Sequence, residues 1–382
     1  MGDILVLNSG SSSIKFALFG ADLSKKTFGS AVEIGGASSL NLNDRRRDMS
    51  LPNHVAALDA IFRALGETGV SLSSLMAAAH RVVHGGLSLR APCLVTPDVL
   101  TEIERCAPLA PLHNPHNLAA INAVLELAPD LPQCVSFDTA FHATNSDLAR
   151  RYAIPDSELE RGLQRYGFHG ISYESLVRKQ PELSGDALPE RLLALHLGNG
   201  ASLCAIRGGK SVATTMGYSP LEGLTMGTRS GSIDANVVLK MVADHGLDRT
   251  SDLLNKESGL LGLGGQSDMR KLHALGTDRS RFAIDHFCYW AVRHAGSMIA
   301  AMGGLDAVAF TGGIGENDAV VRKKILDGLA WLGVHLDLDA NASGASKLHA
   351  SSSQVTAWIV PAEEEWMIAS SAQAIMEGHR WQ

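Results

Sequence analysis

The sequence is poor in the features that mark several protein classes. Aromatic residues make up 5% of its 382 residues, and its five cysteines form no C-x-x-C pair. An odd number of unpaired cysteines is typical of buried thiols in a reducing cytosol. The sequence has no apolar run long enough for a membrane helix, and its first residues lack the basic segment of a signal peptide. We therefore expect a cytoplasmic protein.

Positive charge is also scarce. The formal net charge is −7, which argues against a general binder of nucleic acid or of membrane surfaces. An anionic ligand would need local positive charge instead. The P-loop pattern G-x-x-x-x-G-K-[ST] is absent as well. Apolar residues make up 45% of the chain, and this length predicts two domains with sizeable cores.

The strongest local pattern that is present is Ile4–Phe19, ILVLNSGSSSIKFALF. An apolar run, a small hydroxyl-rich turn and an alternating run predict a β-hairpin. Gly10 lets backbone approach a ligand closely, and Lys15 places a cation beside the turn. The segment therefore predicts a phosphate site, with an ordinary polar turn and a surface lysine as the alternative.

A second hairpin pattern occurs at Leu192–Ile206, LLALHLGNGASLCAI. Laid over the first, it places His196 on Asn8 and Gly198 on Gly10, an offset of 188 residues (196 − 8). Two such hairpins half a chain apart indicate a duplicated domain. A pair of turns of this kind could grip a polyphosphate from two sides.

Two charged residues stand at predicted strand ends. Arg81 precedes a Gly-Gly turn, where its guanidinium could receive an anion, although a plain salt bridge is the alternative. Asp138 follows the buried strand Cys134–Phe137, at the edge where α/β sheets place ligands. Its alternative is a cap or turn residue.

Two further candidates lie in glycine-rich segments. His169 is flanked by glycines, which permit close approach of another group, with a hydrogen-bonded structural role as the alternative. Arg229 lies in Thr214–Asp234, a long segment without periodicity, and such loops are usually functional in compact domains.

Other local signals predict secondary structure. Asn114 before Pro115 is typical of a helix N-cap, with the helix running to about Leu127. Gly259–Arg270 is predicted to be a glycine-rich turn, and 311–317, TGGIGEN, to link a buried strand to a helix N-terminus suited to a nucleotide. The acidic run 363–365 either complements a helix dipole or holds a metal-bound water.

Taken together, these segments resemble the acetate kinases, the acetokinase family of the actin-like/sugar-kinase (ASKHA) superfamily. The motifs occur in the family's order along nearly the whole chain, and they are NSGSSSIKF, HRVVHGG, APLHNPHNL, FDTAFH, RYGFHG, HLGNGAS, MGYSPLEGLTMGTRSGSID, SDMR, FTGGIGEN and the terminal EEE.

The resemblance implies an α/β fold of two duplicated actin-like (ribonuclease H-like) domains with a nucleotide cleft between them. The expected domains are 1–145, to which about 367–382 return, and 146–366. The implied activity is reversible, direct in-line transfer of the ATP γ-phosphoryl group to acetate, giving acetyl phosphate and ADP. The implied partners are ATP or ADP, Mg²⁺ (or Mn²⁺) and a small carboxylate, in a homodimer without nucleic acid or membrane.

Roles follow where the motifs match. The resemblance implies catalysis by Asp138, His169, Arg229 and Arg81. It implies that the carboxylate and its methyl group are bound by Arg81, Val83, Leu112, His113, Phe168 and Pro220. It implies that nucleotide and phosphate are bound by Lys15, Ser11, His196, Leu197, Gly198, Asn199, Gly200, Asp268, Met269, Arg270, Gly313, Ile314, Gly315, Glu316 and Asn317. It implies Asn8 and Glu364 as the metal ligands.

The chain departs from the family pattern in three places. Glu363 replaces an asparagine, which leaves open whether it or Glu364 serves the metal. Tyr173 stands where the pattern has histidine, and the segment after the first hairpin is short. The role of Asp138 also stays open, because an ionised carboxylate substrate needs no base and the aspartate could instead orient an arginine. The alternative functions are a propionate kinase and a non-catalytic actin-like nucleotide-binding module.

Overall fold

The computed structural model describes residues 2–111 and 113–378. The chain divides into two compact units, Met1–Phe141 with Glu363–Gln382, and His142–Ala362. Within the described ranges, no helix is both long enough and apolar enough to cross a membrane. The assignment of 1–145 with about 367–382, and of 146–366, to family domains stays a prediction.

The strands of both units share the short lengths and the buried apolar residues of α/β sheets. They are β1 (Asp3–Ser9), β2 (Ser13–Phe19), β3 (Lys25–Val32), β4 (Ser39–Leu42), β5 (Arg45–Asp48), β6 (Leu75–Val82), β7 (Cys93–Leu94), β8 (Gln133–Phe137), β9 (Arg191–Leu197), β10 (Ala201–Arg207), β11 (Lys210–Thr214), β12 (Ala307–Thr311) and β13 (Thr356–Ile359).

The helices range from short turns after strands to one of 25 residues. They are α1 (His54–Glu67), α2 (Pro97–Arg105), α3 (Asn114–Leu127), α4 (Asp147–Arg150), α5 (Asp156–Glu160), α6 (Gly170–Ser184), α7 (Ala235–His245), α8 (Leu247–Lys256), α9 (Gly259–Gly264), α10 (Met269–Leu275), α11 (Asp278–Met302), α12 (Gly312–Asn317), α13 (Ala319–Gly328), α14 (Leu338–Ser343) and α15 (Glu364–Met376).

The two sheets repeat one topology. The first has the order β5-β4-β3-β2-β1-β6-β8-β7 and the second β11-β10-β9-β12-β13. In each, the opening hairpin is antiparallel and its first strand pairs in parallel with a later strand. β9 begins 188 residues after β1 (191 − 3), and β10 begins 188 after β2 (201 − 13). The predicted α/β class and the duplication are confirmed.

The core of the first unit follows from strand periodicity. Leu5, Leu7, Ile14 and Phe16 point to one face of the first hairpin and are buried with residues of α1 and α3. α15 lies against β1, β6 and β8. Because helices pack against the sheet, its faces are apolar, and we expect polar functional side chains at the ends of the strands.

Two local predictions were wrong. Asn114 is not the N-cap of α3, because His113 takes that position. The Asn114 side chain instead accepts from the His84 backbone N–H (3.0 Å) and donates to the His84 carbonyl (2.9 Å). Gly259–Arg270 is not a continuous turn, since α9 forms there and buries Leu260 completely. In both places, tertiary contacts outweigh local propensity.

Candidate active site

An ion pair joins the ends of two neighbouring strands in the first unit. Arg81 lies on β6 opposite Ser136 of β8, and Asp138 follows β8 directly. The Arg81 guanidinium donates from Nε to Asp138 Oδ1 (2.9 Å) and from Nη2 to Oδ2 (2.6 Å). The Asp138 side chain is 3% exposed and that of Arg81 is 23% exposed. Asp138 therefore fixes one edge of the guanidinium, and the remaining nitrogen Nη1 is available to an anionic ligand.

Two further predicted residues lie close enough to act on this pair electrostatically. Burial by itself would lower the pKa of Arg81, but the carboxylates of Asp138 and Glu364 raise it above its ordinary value. His113 also acts on the charge of Asp138. The structure thus brings Arg81, Asp138, Glu364 and His113 together in the first unit.

The first hairpin contributes polar groups from its turn. Asn8 on β1 faces Lys15 on β2 across the ladder, and Ser11 lies in the exposed turn between them. Lys15 is exposed and makes no ion pair with another described residue. A lysine of this kind at a tight turn suits phosphate, so its predicted role stays open to test.

A divalent metal would find oxygen ligands here. Glu364 opens α15, and its side chain makes no hydrogen bond or ion pair within the described part of the chain, whereas Glu365 pairs with Lys25 at 2.9 Å. Asn8 adds an amide oxygen. The described ranges contain no cluster of three or more His, Cys, Asp or Glu residues that could hold a metal. One carboxylate and one amide fit Mg²⁺, which keeps most of its waters and is held partly by substrate phosphates.

The strand ends are held by an asparagine that the sequence analysis missed. Asn117 of α3 donates to the Ser9 carbonyl (2.7 Å) and accepts from the Val83 backbone N–H (3.1 Å). It therefore ties the ends of β1 and β6 together, and it is 2% exposed. The available signal was a second asparagine, three residues after Asn114, on the inner face of a predicted helix.

In the second unit, His169 has an unusual backbone conformation. It precedes α6 with φ 59° and ψ 21°, in the left-handed region. A non-glycine residue held there costs on the order of 1–3 kcal/mol, and such residues cluster at functional sites. Its ring stacks on that of His196, with centroids 4.1 Å apart.

His169 and Arg229 converge on Gly200. A Cβ on Gly200 would lie 3.2 Å from His169 Nε2 and 3.3 Å from Arg229 Nη2. The two nitrogens are therefore at most 6.5 Å apart (3.2 plus 3.3 Å). A larger residue at position 200 would crowd both of them, which explains the glycine there.

Arg229 is a half-buried cation without a countercharge. Its guanidinium donates from Nη1 to the Pro220 carbonyl (2.7 Å). Among residues 2–111 and 113–378, no carboxylate forms an ion pair with it. Burial lowers the pKa of Arg229 below its ordinary value. A cation in this setting gains from a bound anion, because burial has already removed part of its hydration.

Two predicted nucleotide segments follow adjacent parallel strands. His196 on β9 is opposite Thr311 on β12, so 196–200 and 313–317 emerge at the same edge of the sheet. Glu316 accepts from the backbone N–H groups of Gly312 (2.9 Å) and Ala362 (3.0 Å). Its carboxylate therefore organises the backbone at this edge, while a role in nucleotide binding stays a prediction.

The third predicted nucleotide segment is built around a capped helix. Asp268 is the N-cap of α10 and accepts from the backbone N–H of Arg270. The Arg270 guanidinium pairs with it as well, at 2.7 Å, and lowers the pKa of Asp268 to about 2. A hydrogen bond connects α10 to the residue that follows α12. In it, His273 Nε2 lies 2.8 Å from an Asp318 oxygen.

The residues predicted to bind a methyl group lie partly in the first unit and partly in the second. Val83 is 7% exposed in the first unit. Phe168 is 2% exposed in the second, where Pro220 lies in the loop that carries Arg229. Leu112 lies outside the described residues. The binding of a methyl group by these side chains stays a prediction.

Other supporting residues were missed too. Ser202 of β10 lies 2.9 Å from His169 Nδ1, and it occupies the position of Ile14 in the repeated hairpin (202 − 14 = 188). Arg322 is 1% exposed and donates to the carbonyls of Gly315 (3.0 Å) and Glu316 (2.8 Å) at the end of α12. A serine where the repeat has isoleucine was the signal for the first of these. No local pattern marks the second.

Comparison with known proteins gives consistent matches. The model of the acetokinase family matches residues 3–370. An acetate kinase of Rhodopseudomonas palustris is 43% identical over 399 aligned positions, covering 100% of both chains. An acetate kinase of Streptomyces griseus is 43% identical and covers 98% of this chain and 96% of its own.

Solved structures agree with this. The acetate kinase of Porphyromonas gingivalis superposes with a TM-score of 0.91 at 36% identity, covering 98% of this chain and all of its own. A propionate kinase from Francisella tularensis superposes with a TM-score of 0.93 at 34% identity, covering 97% and 99%.

Proposed function

Because this chain belongs to the acetokinase family, we propose that it catalyses reversible transfer of the ATP γ-phosphoryl group to acetate, giving acetyl phosphate and ADP. The resemblance drawn from the motifs is confirmed at the level of the family. The roles of individual residues are our proposal.

One observation supports the proposal more strongly than the others. Arg229 is a partly buried cation without a carboxylate partner in the described ranges, and it converges with His169 on Gly200. This arrangement suits a group that gains negative charge on its equatorial oxygens during transfer. A buried structural arginine has its donors satisfied by protein oxygens, as Arg322 has at four of them. Within the described ranges, the Arg229 guanidinium donates to one protein oxygen, the Pro220 carbonyl.

The first unit supplies the complementary function. Asp138 holds one edge of the Arg81 guanidinium, and we assign the other edge to the carboxylate of acetate. The carboxylate is already ionised at neutral pH, so in-line attack needs positioning and charge neutralisation rather than a general base. Asp138 is therefore assigned to orienting Arg81.

Asn8 and Glu364 are proposed to hold Mg²⁺, with Mn²⁺ as a substitute. The ion would supply charge neutralisation to the phosphates of the nucleotide. Glu364 is favoured over Glu363 because Glu364 acts on the charges of Arg81 and Asp138.

The test is formation of acyl phosphate, trapped as the hydroxamate, from ATP and a panel of formate, acetate, propionate and butyrate. We expect acetate to give the highest kcat/KM and Mg²⁺ to be required. Nucleotide binding without any acyl phosphate from any of the four acids would refute the proposal and favour a non-catalytic module.

A propionate kinase is the second candidate, because a relative of that name has nearly the same fold. A higher kcat/KM for propionate than for acetate in the same panel would establish it.

We also propose that the protein is a homodimer. None of the residues of α7, all of which the structure describes, is buried, although the helix carries several apolar side chains. Val237 and Leu239 are 46% and 66% exposed. Light scattering should give twice the chain mass for the native protein. Leu239→Lys should shift it toward the monomer, and a native monomer would contradict the proposal.

A further inference from the structure

A chain of two buried hydroxyl groups is hydrogen-bonded to the ring of His169. Its Nδ1 lies 2.9 Å from Ser202 Oγ, and Ser202 Oγ lies 2.5 Å from the Tyr173 hydroxyl. Ser202 and Tyr173 are both fully buried. Tyr173 follows His169 by one helical turn, and its backbone N–H donates to the His169 carbonyl (3.0 Å). The three side chains therefore meet through the geometry of α6 and β10.

The coordinates allow either direction for these two hydrogen bonds, and the surroundings of Tyr173 favour one of them. A hydrogen bond from the backbone of His196 to the Tyr173 oxygen favours the phenolate, and so does the bond to Ser202, in which either oxygen could be the donor. The backbone group that can favour a phenolate is an N–H donor, so Tyr173 accepts there. Burial holds the pKa of Tyr173 well above its ordinary value, and the phenol keeps its proton. That proton is then donated to Ser202.

Ser202 in turn has one hydroxyl proton. Because its oxygen accepts from Tyr173, the proton is directed to His169 Nδ1. Nδ1 then acts as an acceptor, and in the neutral ring the remaining proton is on Nε2. Nε2 is the atom that faces the space over Gly200 beside Arg229.

We propose that Tyr173 and Ser202 are positioning residues that hold His169 in the Nε2–H tautomer, so that its imidazole presents a hydrogen-bond donor to the transferring phosphoryl group. The inference rests on the role proposed above for His169. It assigns a task to Tyr173, which stands where the family pattern has a histidine. A phenol at this place keeps its proton throughout the neutral range, so it remains a hydrogen-bond donor to Ser202 there.

The left-handed backbone at His169 also depends on the surrounding structure. A residue in this conformation persists only where the surrounding structure holds it. Without the hydroxyl chain, the ring could exchange tautomers or rotate away from Gly200. Either change would remove the donor from the site without removing the residue.

The direct test is nitrogen-15 NMR of histidine-labelled protein, with the His169 signals assigned by their loss in His169→Gln. We expect wild type to show Nδ1 as the unprotonated nitrogen and Nε2 as the protonated one. Ser202→Ala should give a mixture of tautomers, and Ser202→Thr, which keeps the hydroxyl, should restore the single form. A wild-type protein with the proton on Nδ1, or an unchanged spectrum in Ser202→Ala, would overturn the inference.

Kinetics provides the second measurement. Ser202→Ala and Tyr173→Phe should each lower kcat about tenfold or more, with KM for both substrates nearly unchanged, because the donor matters in the transition state. Ser280→Ala is the matched control, since its buried hydroxyl donates to the Thr277 carbonyl instead of to a histidine. It should leave kcat and the His169 signals unaltered.

The two measurements separate this inference from the proposed function. A wild-type protein without kinase activity but with the expected tautomer change in Ser202→Ala would refute the function and support the positioning role. An active wild type whose kcat is retained in Ser202→Ala and Tyr173→Phe would refute the positioning role alone.

Discussion

Replacing Asp138 with asparagine should lower kcat and leave KM for acetate unchanged or lower. The substitution keeps the shape of the side chain and removes its charge. Asparagine has one oxygen acceptor, whereas the Asp138 carboxylate engages Arg81 Nε and Nη2 at 2.9 and 2.6 Å. The second donor of the guanidinium would then face an amide N–H₂ group, and Arg81 would lose its fixed orientation.

The size of the effect follows from the burial of the pair. Removing one partner from a buried ion pair costs about 3–5 kcal/mol of folding stability, and the pair cannot contribute more than this to orienting Arg81 in the transition state. The Arg81 side chain is 23% exposed, so water compensates part of this, and we take about 3 kcal/mol as the upper bound. Since about 1.4 kcal/mol corresponds to a factor of ten in rate, kcat should fall by up to about 100-fold.

KM should respond differently. The Asp138 carboxylate repels the carboxylate of acetate in the ground state and in the transition state alike. Removing that repulsion changes uniform binding, which appears in KM and not in kcat. Because Arg81 is also assigned to binding acetate in the ground state, its loss of orientation opposes this gain in KM, and kcat is the parameter that reports the orienting role.

The assay is acyl phosphate formation at saturating ATP with varied acetate. Asp306→Asn is the matched control, because Asp306 engages Arg191 through the same two kinds of guanidinium nitrogen at 3.0 and 2.5 Å, on a more exposed surface. It should have kcat and KM close to those of wild type. An Asp138→Asn protein with the kcat of wild type would refute the orienting role. A pH–rate profile that loses an acidic limb only in this variant would indicate a general base instead.

Four further predictions concern other residues. Arg229→Ala should lose about 3 kcal/mol or more of transition-state stabilisation in kcat/KM with a nearly unchanged melting temperature, and near-wild-type turnover of the folded variant would remove this arginine from the mechanism. Glu364→Ala should raise the Mg²⁺ concentration needed for half-maximal activity far more than Glu363→Ala, whereas the reverse ranking would assign the metal to Glu363. Val83→Ala should raise kcat/KM for propionate relative to acetate, since one methylene in an apolar pocket is worth about 1–3 kcal/mol, and an unchanged ratio would exclude the valine from the pocket. Burial lowers the pKa of His80 from 6.5 to about 4, so below pH 6.5 the unfolded chain takes up a proton that the folded chain does not. From pH 7 to pH 5 this should cost about 2 kcal/mol of unfolding free energy, which urea titrations of wild type and His80→Asn would measure, and equal losses in the two proteins would contradict it.

The sequence by itself determined the local elements and their duplication. Alternating apolar residues around short glycine turns specify both hairpins, because strand periodicity and turn chemistry act over a few residues. The 188-residue offset was readable for the same reason, and the paired strands of the structure begin at that spacing. The order of the motifs was sufficient to identify the family.

Only the tertiary structure decided which polar groups meet. Arg81 and Asp138 are 57 residues apart in sequence, and their pairing depends on the register of β6 and β8. Asn114 has the sequence of a helix cap, but its amide satisfies the backbone of His84, because a buried backbone group left unpaired would cost more than a lost cap.

The same reason explains the hydroxyl chain behind His169. Ser202 and Tyr173 lie on β10 and α6, and no local pattern links a serine in a strand to a tyrosine in a helix. Their proximity arises when β10 pairs with β9 and α6 packs on the sheet, which places two buried hydroxyls within hydrogen-bond distance. Hydrogen bonds between side chains act over about 3 Å of space, whatever their separation along the chain, so their partners become known only when the chain is folded.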